Sequence, residues 1–551
     1  MNFTTSLLRS PIKRYRDSLR KAGPKVVWSP SLLYSAAFFA GTAIPATWDQ
    51  GSASVLPSLP GFQEQFGISS GSSGSQLRNF ISLIYIGYAV GAALSFPVND
   101  WMGRRASFRI YSSIYIVGQL IAILAPNKAA MYASRIVVGI GIGSLANLGP
   151  LSIAEIAPPE MRGLLSAWFG IAMSLSLVVS TFMTYGIYLH LPPSRLQYQL
   201  VWIVPCVFIF LCCIASFFVC ESPRWLELAD RSEDALSTLV RLRRLPFDHE
   251  RVQAEYQQIR SAVQEERVAF HGFRSVSGLG RLNSTVRELF TVSSNVRRLH
   301  ICLVSYALAQ LSGANTITSY FVPILNIAGI AEGNKAEGIM LSGFYAVAKL
   351  VFVTLASFVF IDLLGRRRSL FFGATLQGCT DIYMAVYLKV RQDTGVSASA
   401  SETALAMLFL HAWGYIVGLF IMPYVFGAEL WPTRIRSLGG AISGIFHWLF
   451  LYAMQVALPS LLDRTHNWGA FVFFASWCLV AILYTHFMIP EVSGLTMEEI
   501  EAVFKGSWFN ANTVSKRPRT MSGISPKDED NATGNERADS KSKTVASEGV
   551  V

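Results

Sequence analysis

The chain reads as an all-α membrane protein: twelve transmembrane helices in two six-helix repeats, joined by a cytoplasmic helical linker. Three features say so. Of 551 residues, 52% are hydrophobic and only 15% charged, where a soluble protein carries about a quarter charged residues. Twelve apolar runs recur along the chain, six on each side of a long polar stretch. Anchor motifs in the first set return in the same order in the second. This composition excludes a soluble enzyme with one membrane anchor, and it excludes a disordered or fibrous protein.

Residues 1–31 are basic and polar, with Arg9, Lys13, Arg14, Arg16, Arg20, Lys21 and Lys25. No small-residue cleavage site follows a short apolar core, so no cleaved signal peptide is expected. Runs one to six fall near 32–54, 79–98, 108–126, 130–153, 164–188 and 200–219, giving an N-terminal bundle over 32–226. Each is long enough for a hydrocarbon core that takes about 20 residues per helix. The polar stretch at 227–297 carries helical spacing in Ala235, Leu236, Leu239, Val240 and Leu242, and again in Val252, Tyr256, Ile259 and Val263. These spacings predict amphipathic helices beneath the bundle. Runs seven to twelve lie near 299–323, 338–361, 369–390, 404–427, 438–461 and 469–489, within a C-terminal bundle over 298–505. Residues 506–551 are rich in Ser, Lys, Asp and Glu and read as a disordered cytoplasmic tail.

The net charge of +11 raises the question of a nucleic-acid partner. The distribution of charge answers it. Arg104/Arg105, Arg162, Arg366/Arg367/Arg368 and Arg434/Arg436 occupy alternate short loops, on the side of the basic N-terminus. The opposite loops carry mostly single charges such as Arg78, Lys128, Arg195, Lys335 and Arg464. Positive loops stay inside, so both termini are expected in the cytoplasm, and the basic excess orients the protein rather than binding nucleic acid. The seven cysteines lie in or beside apolar runs without metal-ligand spacing, and read as packing residues.

Asp100-Trp-Met-Gly-Arg-Arg105 matches Asp362-Leu-Leu-Gly-Arg-Arg367. Glu155-x-x-Pro-x-x-x-Arg162 matches Glu429-x-x-Pro-x-x-x-Arg436, and Glu221 after run six matches Glu491 after run twelve. The offsets are 262, 274 and 270, so order is kept with small insertions. Parallel repeats with a site between them describe a secondary transporter.

Over roughly residues 32–505 the chain resembles the sugar porter family of the major facilitator superfamily. The resemblance rests on Trp48-Asp49-Gln50-Gly51, the two Gly-Arg-Arg loops, and Arg135-x-x-x-Gly139-x-Gly141-x-Gly143. It rests also on Glu221-Ser-Pro-Arg-Trp-Leu226, Gln310-Leu-Ser-Gly-Ala-Asn315 and Pro490-Glu-Val-Ser-Gly-Leu-Thr496. Thr184-Tyr-Gly186 and Val347-Ala-Lys-Leu350 look more like fungal lactose, quinate and related permeases. The resemblance implies the major facilitator fold, alternating access and a small-molecule solute.

Asp49 lies late in run one, four residues after Pro45, which is expected to kink the helix. A carboxylate at mid-membrane costs about 2.5–3.5 kcal/mol and points to function; a solvated Asp49 at the outer interface is the competing reading. The resemblance makes Asp49 a proton site and Arg135 its partner. Gly139 and Gly143 follow Arg135 on one helix face and read as tight packing sites rather than a nucleotide loop. Arg104, Glu155, Arg162, Glu221, Arg366, Glu429 and Arg436 form a charge band that the resemblance makes a cytoplasmic gate; a solvated orienting band is the bland alternative.

For solute binding the resemblance implies Gln310, Asn315, Tyr424 and Trp448. Two family amides are replaced, by Gly170 in run five and Ala309 in run seven, and His447 stands where an Asn is usual before the Trp. These losses favour a bulkier or less hydroxylated ligand than glucose. Lys349, central in run eight with Ser342 and Tyr345 on the same face, is too deep to snorkel and becomes a candidate solute contact. A structural pairing with a carboxylate or carbonyls is its alternative.

The expected protein is a monomeric plasma-membrane transporter of sugars or sugar-like solutes, coupled to protons. No enzyme chemistry, cofactor or metal is expected. The rivals are uptake of a quinate-type acid, metabolite export, and a non-transporting nutrient sensor on the same fold.

Overall fold

The computed structural model describes residues 16–69, 75–271, 286–331, 334–360, 365–420, 430–431, 435–490 and 503–504. Among them, nine helices are long and apolar enough to cross a membrane. Runs two to six are Ser75–Met102, Arg104–Leu124, Lys128–Ile156, Arg162–His190 and Arg195–Ala215. Runs eight, ten, eleven and twelve supply Lys335–Phe358, Ala398–Phe420, Leu438–Arg464 and Trp468–Phe487. Run nine is one helix, Arg366–Thr394, with charges at both ends. Runs one and seven are broken helices, and with run nine they bring the crossings to twelve.

Each break has a local cause. Run one consists of Pro30–Gly41 and Ile44–Val55. The expected Pro45 kink is instead a break just upstream, where Thr42 Oγ1 donates to the Phe39 carbonyl at 2.7 Å. Pro45 then starts the second helix, where its missing N–H goes unneeded. Run seven consists of Ser293–Leu311, Ala314–Ser319 and Phe321–Ile327. Its first break falls at Gly313, whose φ of +81° favours glycine and whose Cα faces the Phe474 ring.

The sequence repeat has a backbone counterpart. Gly103 has φ 83° and ψ 174°, and Gly365 has φ 80° and ψ 166°. Each stands directly before a helix that starts on arginine.

Close helix approach holds the halves together internally. Run two packs on run four where Gly87 meets Gly139, and a Cβ on Gly139 would collide with the Ile84 carbonyl. Gly143 likewise backs onto Tyr88. Small residues serve this purpose in membranes, where dispersion and close packing drive helix association. In the second half Gly373 of run nine meets Gly414 and Gly418 of run ten. The two halves meet along run two against run eleven, run five against run eight, and the second helix of run one against the short helix Ala314–Ser319. Large apolar side chains such as Phe210, Leu211 and Ile214 are more than half exposed, as lipid-facing residues of a membrane bundle are.

The linker carries helices Ser232–Arg243 and Glu250–His271. Ala235, Leu239 and Leu242 pack against Val252 and Tyr256 or onto the bundle, as their spacing predicts. Arg243 grips both oxygens of Glu255 and donates to the Ile156 carbonyl at 2.9 Å, so the linker is tied to the end of run four.

Candidate functional site

Asp49 sits one turn into the second helix of run one, and Arg135 two turns into run four. Arg135 holds both carboxylate oxygens of Asp49, a fork geometry that suits guanidinium. Its Nε donates to the Phe80 carbonyl at 3.0 Å, and its guanidinium lies 4.7 Å from the Phe80 ring centre. Asp49 is 6% and Arg135 3% exposed, so the pair is buried and the solvated reading of Asp49 falls.

A cleft opens between the halves. Gln50, Tyr85, Tyr88 and Ser174 line it from the first half; Asn315, Lys349, Tyr415, His447 and Trp448 line it from the second. The helices that carry these side chains are locally irregular. Asn315 follows the run-seven break, and Tyr415 precedes a π-helical turn at Ile416–Phe420. Such turns recur at functional sites.

Polar groups on the second-half wall are organised. Asn315 Nδ2 donates to the Tyr415 hydroxyl at 2.9 Å and to Gln310 Oε1 at 3.1 Å. Gln310 Nε2 lies 3.2 Å from His447 Nδ1. Gln310 is fully buried behind the wall, so it orients Asn315 and His447 rather than facing the cleft. Lys349 Nζ donates to the Thr318 hydroxyl at 3.1 Å and lies 5.7 Å from the Tyr345 ring centre. Among the described residues, no carboxylate pairs with it.

The walls touch across the seam. Tyr88 meets Trp448 edge-on, with ring centres 4.7 Å apart. Tyr85 hydrogen-bonds Ser319, which also accepts from Gln455 Nε2 at 2.9 Å. Gly170 of run five faces Val353 of run eight, which lines the cleft.

The charge band is divided. Arg104 donates from Nε and Nη2 to the two oxygens of Glu155, each at 2.7 Å, and from Nη1 to the Asn99 carbonyl. Glu221 accepts from the backbone N–H groups of Arg104 and Arg105 at 2.9 and 3.1 Å. It thereby caps the start of run three, where a helix favours negative charge. All three side chains thus pair inside the first half. Arg162 is exposed at the start of run five. Tyr424 and Glu429 lie outside the described residues, as do the side chains of Arg366 and Arg436.

Motif reading missed Tyr85, Tyr88, Gln50 and Tyr415 as cleft residues. Tyr85 and Tyr88 are separated by three residues in run two, a spacing that shares a helix face; it was the available signal. Among the described residues, no cluster of three or more His, Cys, Asp or Glu side chains stands ready to hold a metal.

Twelve crossings around a cleft between two repeats define a secondary transporter of the major facilitator fold. Residues 35–504 match the family described as sugar (and other) transporter, and the chain belongs to that family. It is 27% identical over 486 residues to the quinate permease of Emericella nidulans, covering 87% of this chain and 89% of that one. The quinate permease of Neurospora africana is 26% identical over 509 residues, covering 89% and 92%. Among solved structures, the proton:xylose symporter XylE bound to 6-bromo-6-deoxy-D-glucose superposes with a TM-score of 0.70 at 20% identity, covering 87% of this chain and 100% of that one. The inward-open xylose transporter XylE from E. coli gives 0.66 at 20% identity, covering 86% and 99%. The chain is therefore a multi-pass integral membrane protein of a transporter family.

Proposed function

We propose that this protein moves sugar-like solutes by proton-coupled alternating access, and that Lys349 favours solutes bearing a carboxylate, such as quinate. The observation that carries the proposal is the setting of Lys349. Its amine opens on the cleft, held by a hydroxyl and an aromatic ring rather than by an acid. A cation in a low-dielectric cleft attracts an anionic ligand. Asn315, Tyr415 and Gln50 offer donors and acceptors for hydroxyls, and Trp448 and Tyr88 offer faces for a ring. The similarity to fungal quinate permeases supports the same reading.

Asp49 is the proton site in this account. A proton on Asp49 removes the charge that Arg135 grips, which loosens run one from run four and lets the halves rock. The charge band, including Arg104, Glu155 and Arg436, closes the inner gate. The protein works as a monomer in the plasma membrane with both termini in the cytoplasm. Labelled quinate and a labelled neutral disaccharide, offered to proteoliposomes with and without a pH gradient, test the proposal. Quinate enters against its gradient when protons drive it; a nutrient sensor on the same fold would move neither solute.

A further inference from the structure

We propose that Asp381 and His411 form a second proton-holding site, buried in the second half and built against the run-seven break. Asp381 of run nine and His411 of run ten are each 1% exposed. His411 Nε2 lies 3.4 Å from Asp381 Oδ1 and 3.3 Å from the Ser312 carbonyl oxygen. Run twelve contributes Cys478, whose thiol points at Asp381 Oδ2 from 3.9 Å. Run nine contributes Gln377, 3.3 Å from His411 Nε2 and 3.2 Å from the Ser312 hydroxyl. Among the described residues, no lysine or arginine pairs with this cluster.

The contrast with Asp49 carries the inference. Arg135 is a permanent cation, so the Asp49 pair is neutral with no help from solution. The cation available to Asp381 is an imidazole, which is charged only after it gains a proton. The Asp381–His411 pair is therefore neutral when it holds one added proton, either as imidazolium and carboxylate or as imidazole and carboxylic acid. Without that proton it is a buried net negative charge, which a dry interior disfavours.

The repeat shows that the fold does not demand an acid here. Runs three and nine start after matched glycines at Arg104 and Arg366. Fifteen residues on from each stand Gln119 and Asp381; eleven residues on stand Tyr115 and Gln377. In the first half, Gln119 Nε2 donates to the Tyr115 hydroxyl at 2.9 Å, an uncharged pair that closes on itself. In the second half, buried His411 Nδ1 and Gln377 Oε1 have no hydrogen-bond partner among the described residues.

The site has a route to the cleft. Ser312 is the last residue before the Gly313 break, and Asn315 of the cleft wall is three residues further. Asp381 and the Ser312 carbonyl compete for the same His411 N–H. Gain or loss of the pair's proton changes that competition and so the hold on the break.

This inference goes beyond solute transport, and its test needs no solute. Wild type and the variants Asp381→Asn, His411→Gln and Asp49→Asn are purified into lipid nanodiscs. Infrared difference spectra across about pH 4 to 10, a range spanning ordinary carboxylate to ordinary lysine titration, follow carboxylic-acid C=O and imidazolium ring bands. Wild type and Asp49→Asn are expected to share one titrating step that Asp381→Asn lacks. His411→Gln moves the step to another pH. This variant also serves if Asp381→Asn does not fold. A step identical in wild type and Asp381→Asn, or unmoved by His411→Gln, overturns the proposal.

Discussion

Lys349 donates to the Thr318 hydroxyl at 3.1 Å, and among the described residues no carboxylate meets its amine. A buried polar hydroxyl satisfies one of three ammonium protons, so the cation is left with capacity for a ligand on the cleft side. Lys349→Met is expected to cut quinate uptake about 10- to 100-fold, the worth of a charge-assisted hydrogen bond of about 1.5–3 kcal/mol. Uptake of a neutral disaccharide is expected to stay near wild type. Equal loss of both at normal surface expression would make Lys349 structural, and equal retention would take it off the solute path.

Asp49→Asn is expected to abolish accumulation against a gradient while leaving solute exchange. The carboxamide keeps the shape but removes the charge that Arg135 holds with both oxygens. Counterflow and gradient-driven uptake in proteoliposomes separate the two activities. Accumulation by the variant would exclude Asp49 as the proton site. Arg135→Ala strands a buried carboxylate, and thermal unfolding should show a loss of about 3–5 kcal/mol.

Glu155→Gln and Arg436→Ala are each expected to slow transport and shift the resting protein toward inward-open. Glu155 is already committed to Arg104, so its variant also frees a buried arginine. Accessibility of introduced cysteines from each side of the membrane measures the shift. Unchanged labelling in both variants would reduce the band to an orientation signal.

Glu221→Ala is expected to lower stability by about 1–2 kcal/mol through the start of run three, where two backbone N–H groups lose their acceptor. Thermal unfolding of the purified protein reads this directly. A melting temperature equal to wild type would mean that water replaces the carboxylate at no cost.

Much of this was legible because membranes impose simple rules. Apolar run length marked the crossings and matched loops marked the repeat, while the partner of Asp49 in run four came only from the resemblance to the sugar porter family. The breaks were harder to see. Gly313 turns run seven so that Gln310 is buried behind Asn315, and motif matching could not separate the two. Glu221 is 117 residues from the N–H it caps, a contact that loop position alone does not reveal. Asp381 and His411 lie 30 residues apart on different helices. Each alone looks incidental; only packing brings them within 3.4 Å.

Everything proposed for this protein depends on the cleft carrying a solute driven by protons. Proteoliposomes holding the purified protein, given labelled quinate and an inward proton gradient, test it most directly. Quinate is expected to accumulate above its external concentration, a gradient that a protonophore collapses and that Lys349→Met sharply reduces. Uptake of quinate and of neutral sugars no faster than in protein-free vesicles, with the protein folded and inserted, would contradict it.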